Sequence, residues 1–183
     1  MSQSRSQSRS QSRALRIESA RTVFRTPWFE IESRNYVGQD DPYYVMACPN
    51  YVTILPITAE REVLFVKQFR PALDADSLEL PSGHIDADET PEQAARRELR
   101  EETGAEALTL ELLSTFRSDT GRMSNRIWTF VADVRRVDPP EAGIEVLPVP
   151  VLGLREMIRS GELEHALDVA VIGKAFVLGK LSL

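Results

Sequence analysis

The chain of 183 residues has a single cysteine, Cys48. One thiol excludes an intrachain disulfide and a cysteine-rich zinc site, and it fits a reducing, cytoplasmic location. Cys48 is a poor candidate nucleophile, since no histidine lies near it in sequence and cysteine is commonly a buried apolar residue. No apolar run is long enough to span a bilayer, and no charged-then-apolar start resembles a signal peptide, so neither a membrane partner nor secretion is expected. Positive charge is also scarce: 22 Lys and Arg stand against 28 Asp and Glu, a net charge of −6. That argues against a general nucleic-acid binder. Polyphosphates remain possible ligands if a metal and local arginines supply positive charge. No long internal repeat is visible.

The length suits one domain with a small extension, enough to bury a sizeable core. Residues 1–13, MSQSRSQSRSQSR, lack the apolar content that offsets the entropy of ordering. They are expected to be a disordered tail, with a weak RNA or membrane-surface contact as the functional alternative. Residues 14–48 read as a small β-sheet region, with strands at Leu15–Ser19, Trp28–Tyr36 and Tyr43–Ala47, punctuated by Pro27 and the Gly38–Pro42 cluster. Residues 49–183 read as the main domain. There Tyr51–Pro56 and Glu62–Phe69 form paired strands around a Thr58–Arg61 hairpin, and Ser77–Leu80 is a short strand. Thr109–Phe116 and Asn125–Ala132 are strands around a polar loop, and Val146–Val151 is extended. Leu154–Ser160 and Leu163–Leu178 are helical, the latter with apolar residues at 167, 171, 172, 175 and 178. Strands, a helix, strands and then helices predict an α/β fold with a mixed sheet between helices.

The most informative stretch runs from Gly83 to Ala105: GHIDADETPEQAARRELREETGA. Thr90 is a good N-cap, Pro91 suits the first helical position and Gln93 is placed for a capping box. Gly104 suits a left-handed stop. The helix between them places Glu98, Glu101 and Glu102 at i, i+3 and i+4, on one side, with Ala95 and Leu99 as a separate apolar stripe. Like charges at this spacing disfavour a helix by a few tenths of a kcal/mol per pair. A divalent cation offsets that repulsion, and Mg²⁺ prefers carboxylate oxygens, retained waters and phosphates. The alternative is a solvated, salt-bridged helix face. His84 reads as a loop histidine, since this cluster offers hard oxygens, and His165, near the start of the last helix, as structural or exposed.

Glycine, five residues, Glu89, seven residues, then Arg97-Glu98-Leu99-Arg100-Glu101-Glu102-Thr103-Gly104: this resembles the Nudix box, the signature of hydrolases of nucleoside diphosphates linked to another group. Only the final position, Ala105, departs from the larger aliphatic usual there. Val66-Lys67-Gln68-Phe69-Arg70-Pro71, Leu78-Glu79-Leu80-Pro81-Ser82-Gly83 and Gly161-Glu162-Leu163-Glu164-His165-Ala166 are similar to the ADP-ribose and nucleotide-sugar pyrophosphatase branch. The resemblance implies a Nudix-type α/β/α sandwich with a small N-terminal sheet, and a homodimer formed through that sheet.

It also implies metal contacts at Glu98, Glu102 and the Ser82 carbonyl, with Glu101 as a further ligand or the holder of a coordinated water. The ion is Mg²⁺, with Mn²⁺ as the alternative. Arg97 would orient the glutamates. Arg70 would lie near the diphosphate, its planar fork suiting phosphate; the alternative is a surface salt bridge. Glu79 would orient Arg70, touch the ligand or serve the strand end. A further catalytic glutamate from a loop after the box is assigned to Glu141, with Glu145 as runner-up.

Two positions depart from the branch pattern: Thr120 stands where a proline is frequent, and Tyr44 where some relatives have an arginine. Tyr44, with Tyr43 and Trp28, is either a base-stacking surface or sheet core. The implied reaction is Mg²⁺-dependent hydrolysis of ADP-ribose or a related nucleoside diphosphate sugar, giving a nucleoside monophosphate and a sugar phosphate. The alternatives are clean-up of damaged nucleoside triphosphates, a non-catalytic nucleotide-sugar sensor and an RNA-binding or decapping protein.

Overall fold

The computed structural model describes residues 15–182. The Ser/Gln/Arg tail therefore lies outside the described residues. The chain forms two compact units that part between Ala47 and Cys48.

The first unit is an antiparallel three-stranded sheet of β1 (Ile17–Arg25), β2 (Glu30–Tyr36) and β3 (Tyr43–Ala47), in that order. β1 runs six residues beyond the Ser19 expected from sequence, because Ala20–Arg25 pair with β2 although they carry no clear apolar alternation. Trp28 is not in a strand. The Thr26 hydroxyl accepts the backbone N–H groups of Trp28 and Phe29 at 3.1 and 3.0 Å and holds them in a turn. Trp28 and Tyr44 are exposed, so neither is sheet core.

The second unit is a mixed sheet covered on both faces. Its spine is β11 (Glu145–Pro150), β5 (Glu62–Arg70), β4 (Tyr51–Ile57), β10 (Ile127–Arg136) and β8 (Ala105–Ala107). Three short strands pair off this path: β6 (Ala75–Glu79) with β5, β7 (Ser82–His84) with β4, and β9 (Glu111–Phe116) with β10. β4 and β10 are parallel, and the other pairings are antiparallel. Two strands, β6 and β7, stand where sequence suggests one. Between them Pro81 has no N–H to offer, and its carbonyl accepts the Ile54 N–H at 2.9 Å, so the chain changes pairing partner there.

The strand period of two sorts the core. Val52, Ile54 and Leu64 face α1 (Pro91–Thr103) through Ala94, Ala95 and Leu99. Leu55, Ile57, Val63 and Phe65 face α2 (Leu154–Ser160) and α3 (Ala166–Val177) through Leu154, Met157, Val171 and Ile172. With both faces buried, β4 and β5 read as nearly continuous apolar runs. The layers are thus α/β/α, as the sequence predicts. α1 has the capping box and the left-handed Gly104, at φ 66°, that the sequence predicts.

Candidate active site

The glutamate helix begins at Thr90, whose hydroxyl accepts the Gln93 N–H while Gln93 Oε1 accepts the Thr90 N–H. Its buried alanine-leucine stripe fixes the rotation of α1 on the sheet. Glu98 and Glu102 consequently turn towards β7, and Glu101 stays exposed.

Glu102 is buried, and its Oε2 accepts the Ser82 N–H at 2.8 Å. Burial pushes its pKa up to about 7, and the neighbouring Glu98 charge pushes the same way. Glu98 lies over the backbone of Gly83: a Cβ added there would stand 2.1 Å from Glu98 Cδ and Oε1. Burial raises the Glu98 pKa too, against the pull of Arg97.

Arg97 saturates its guanidinium. Nε and Nη2 donate to Glu89 Oε1 and Oε2 at 3.0 and 2.9 Å. Nη1 donates to Glu98 at 2.7 Å and Glu101 at 3.1 Å, and Nη2 also to the His84 carbonyl at 3.0 Å. Glu89 has no role in the sequence reading beyond its place in the motif. Here both its carboxylate oxygens take the Nε–Nη2 edge of the arginine, the bidentate geometry that makes such pairs specific.

The donor set suits a hard divalent cation. Two neighbouring carboxylates, both disfavoured as anions by burial, gain from a positive ion between them. Among the described residues no three carboxylate, imidazole or thiol groups already converge on one point. Mg²⁺ accepts that arrangement, because it commonly takes one or two carboxylates and keeps waters and phosphates for the rest of its shell.

Beside this cluster opens a cavity of about 420 Å³, lined by Tyr51, Arg70, Glu79, His84, Asn125 and His165 among others. Tyr51 Oη lies 2.9 Å from Ser82 Oγ, and burial raises the Tyr51 pKa to about 12, so it stays a neutral phenol. Arg70 Nε donates to Glu79 Oε1 at 2.9 Å and Nη2 donates to Glu79 Oε2. Burial of Glu79 works against ionisation, but the Arg70 and Ser77 hydrogen bonds outweigh it and lower its pKa. Glu79 thus orients Arg70 and leaves donors of the fork for a ligand.

Glu141 is exposed in the loop after β10. Its N–H donates to the Glu101 carbonyl at 2.8 Å, which ties this loop to the end of α1. Glu145 lies in β11, 3.9 Å from Lys67 Nζ. Asp119, Thr120 and Gly121 form a turn in which Asp119 Oδ1 accepts the Gly121 N–H at 2.7 Å. Tyr44 belongs to the other compact unit.

The glycine under Glu98 supports a direct prediction. Gly83→Ala is expected to push the Glu98 carboxylate from its seat while sparing the fold, since a side-chain tip can move. Displacements near 1 Å cost up to about a hundredfold in rate, so a roughly ten- to hundredfold loss of kcat with little change in Tm is expected. Wild-type kcat in the variant would show that the seat is unimportant.

Residues 49–162 match the NUDIX domain family. The chain belongs to that family and is a Nudix hydrolase, acting on acid anhydrides. Its relatives include an ADP-ribose pyrophosphatase of Bacillus subtilis (strain 168), 32% identical over 136 residues, 70% of this chain and 73% of that protein. A GDP-mannose pyrophosphatase of Enterobacter sp. (strain 638) is 29% identical over 143 residues, 70% of this chain and 71% of that protein. A crystal structure of an ADP compounds hydrolase shares the fold, with a TM-score of 0.78 at 22% identity over 91% of this chain and 94% of that one.

Proposed function

We propose that the protein hydrolyses the diphosphate bond of ADP-ribose or a related nucleoside diphosphate sugar, with Mg²⁺ as its ion and Mn²⁺ as a substitute. The carrying observation is the juxtaposition of the Glu98–Glu102 cluster with a cavity that holds an oriented arginine. Glu98, Glu102 and the Ser82 carbonyl would hold the ion, with Glu101 as a further or water-mediated contact. The ion would supply Lewis-acid stabilisation of phosphoryl oxygens and a more acidic water.

The protein's own groups do the rest. Arg97, locked by Glu89, keeps Glu98 in place. Arg70, locked by Glu79, binds diphosphate oxygens and stabilises charge that develops on them. A glutamate carboxylate, on α1 or at Glu141, takes the proton of the attacking water. Water adds to phosphorus, the bridging P–O bond breaks, and a nucleoside monophosphate and a sugar phosphate leave. Tyr44, exposed in β3, is the proposed base-stacking surface. Residues 14–48 act as the dimerisation sheet: β1 is exposed along its whole length and carries Ile17, Val23 and Phe24. A monomeric mass by light scattering at micromolar concentration would contradict the dimer.

A substrate panel with Mg²⁺ tests the substrate class: ADP-ribose, GDP-mannose, UDP-glucose, NADH, diadenosine polyphosphates and 8-oxo-dGTP. Diphosphate-linked sugars are expected to show the highest kcat/KM, led by ADP-ribose with GDP-mannose close behind. Arg70→Ala is expected to lower kcat/KM by about one to two powers of ten, since charge-assisted bonds contribute about 1.5–3 kcal/mol. Arg70→Lys should recover only part of that, keeping the charge but not the fork. A triphosphate as best substrate would overturn the substrate class and leave the metal chemistry standing.

A further inference from the structure

His165 lines the cavity beside the glutamate cluster and stands on a buried carboxylate, Asp168, a pair that the reaction scheme above leaves unused. Asp168, in the first turn of α3, is fully buried. Its Oδ2 accepts the Leu80 N–H at 2.8 Å, at the crossing between β6 and β7. The same oxygen stands 3.0 Å from His165 Nδ1. At that distance the two form an ion pair once the ring is protonated, and both Nδ1 and Asp168 Oδ1 are buried.

An isolated carboxylate in such a place is costly, and it is retained where a cation faces it. Beside Asp168, Glu79 and Arg70 are charged groups of the described residues that act on the His165 ring. Asp168 holds the imidazole pKa above its ordinary value, with Glu79 adding to this, while burial and Arg70 oppose it. The Nδ1 edge of the ring is buried against Asp168. The side chain nevertheless keeps 36% of its surface exposed, and it lines the same cavity as Arg70. The edge left to the cavity is therefore the one that carries Nε2, an N–H donor when the ring is protonated.

We propose that His165, set by Asp168, is a substrate-binding residue whose Nε2–H donates to a phosphate oxygen of the diphosphate held by Arg70. One buried carboxylate then does two jobs. It fixes the Leu80–Ser82 turn that leads to the metal-side cluster, and it aims a second cationic donor into the cavity. The proposal rests on the diphosphate reading of the site, and it adds a pH-dependent contribution to binding. Protonated His165 strengthens the grip at low pH, and the contribution is lost as pH rises through the raised pKa of the ring.

Equilibrium binding of ADP-ribose in EDTA tests this without turnover. Titration calorimetry at pH 6 and pH 8.5 compares wild type, His165→Ala and His165→Gln, with Tm measured for each. Wild type is expected to bind about five- to tenfold more tightly than His165→Ala at pH 6, the lower part of the range for a charge-assisted bond at a partly exposed site. At pH 8.5 the two should converge. His165→Gln, an uncharged donor, should share the pH dependence of His165→Ala, which the neighbouring glutamates set. A purely structural role would instead lower Tm and leave the ratio of wild type to His165→Ala the same at both pH values. No advantage of wild type over His165→Ala at pH 6, including no binding to either, overturns the proposal. Turnover of ADP-ribose by wild type with Mg²⁺ is followed in parallel. Absence of turnover with the pH-6 advantage intact would sink the catalytic reading and leave the binding role of His165 in place.

Discussion

Glu102→Gln and Glu98→Gln are each expected to reduce turnover at least about a hundredfold, the scale of losing a metal or general-base function. Neither should unfold the protein. In Glu102→Gln the amide oxygen still accepts the Ser82 N–H, and a buried charge is removed. In Glu98→Gln, Arg97 keeps both hydrogen bonds to Glu89 and the one to the His84 carbonyl. The pH dependence has a definite sign. Glu102 has its pKa raised to about 7 on folding, by burial first and Glu98 second. Between the ordinary carboxylate range and that value the folded state binds more protons than the unfolded state, so metal-free stability falls as pH rises through this window. Added Mg²⁺ should recover Tm at pH 8 in wild type, and less so in Glu102→Gln, because a ligand of the folded state stabilises by mass action. Near wild-type turnover of both variants at saturating Mg²⁺ would remove the metal-site assignment.

The second large effect is on stability. Gly104 ends α1 in the left-handed region at φ 66°, and a Cβ there would lie 2.0 Å from the Asp138 carbonyl oxygen and 2.8 Å from its carbon. Both atoms are backbone, fixed by the Asp138 and Val137 N–H groups donating to the Gly104 carbonyl at 3.0 and 2.8 Å. Gly104→Ala combines left-handed strain with overpacking, each about 1–3 kcal/mol. A loss of roughly 2–6 kcal/mol is expected, and at about 2–4 °C per kcal/mol for a chain of this size Tm should fall by at least roughly 4 °C. The same segment leads to Glu141, so the variant should also lose activity at temperatures where it remains folded. A Tm within about 1 °C of wild type would show that the loop yields more readily than its hydrogen bonds suggest.

What sequence reveals here is what is local. Helix α1 was legible from Thr90 to Gly104 because its cap, its first-turn proline, its apolar stripe and its stop all lie within one segment. The layer order was legible because strand and helix periods differ. The split of Ser77–His84 into two strands was not, because Leu80 and Pro81 change partner through contacts with Asp168 and Ile54, distant in the chain. The extension of β1 beyond Ser19 escaped because its residues pair without an apolar alternation. Glu89 stood in the motif, yet its bidentate hold on Arg97 needs the loop folded back on the helix. His165 read as structural or exposed, since its setting between Asp168 and the cavity depends on the Leu80 crossing, distant in the chain. A buried acid in an apolar helix stripe is the signal that could have drawn attention to the pair.

We propose cleavage of a diphosphate-linked sugar at a metal that Glu98 and Glu102 would hold. The most direct measurement is mass spectrometry of the products from ADP-ribose, with purified protein in Mg²⁺ and in EDTA. AMP and ribose 5-phosphate are expected in equal amounts with Mg²⁺, and no products in EDTA. Intact ADP-ribose in Mg²⁺ while a nucleoside triphosphate is consumed would contradict the substrate assignment, and equal cleavage in EDTA would contradict the metal.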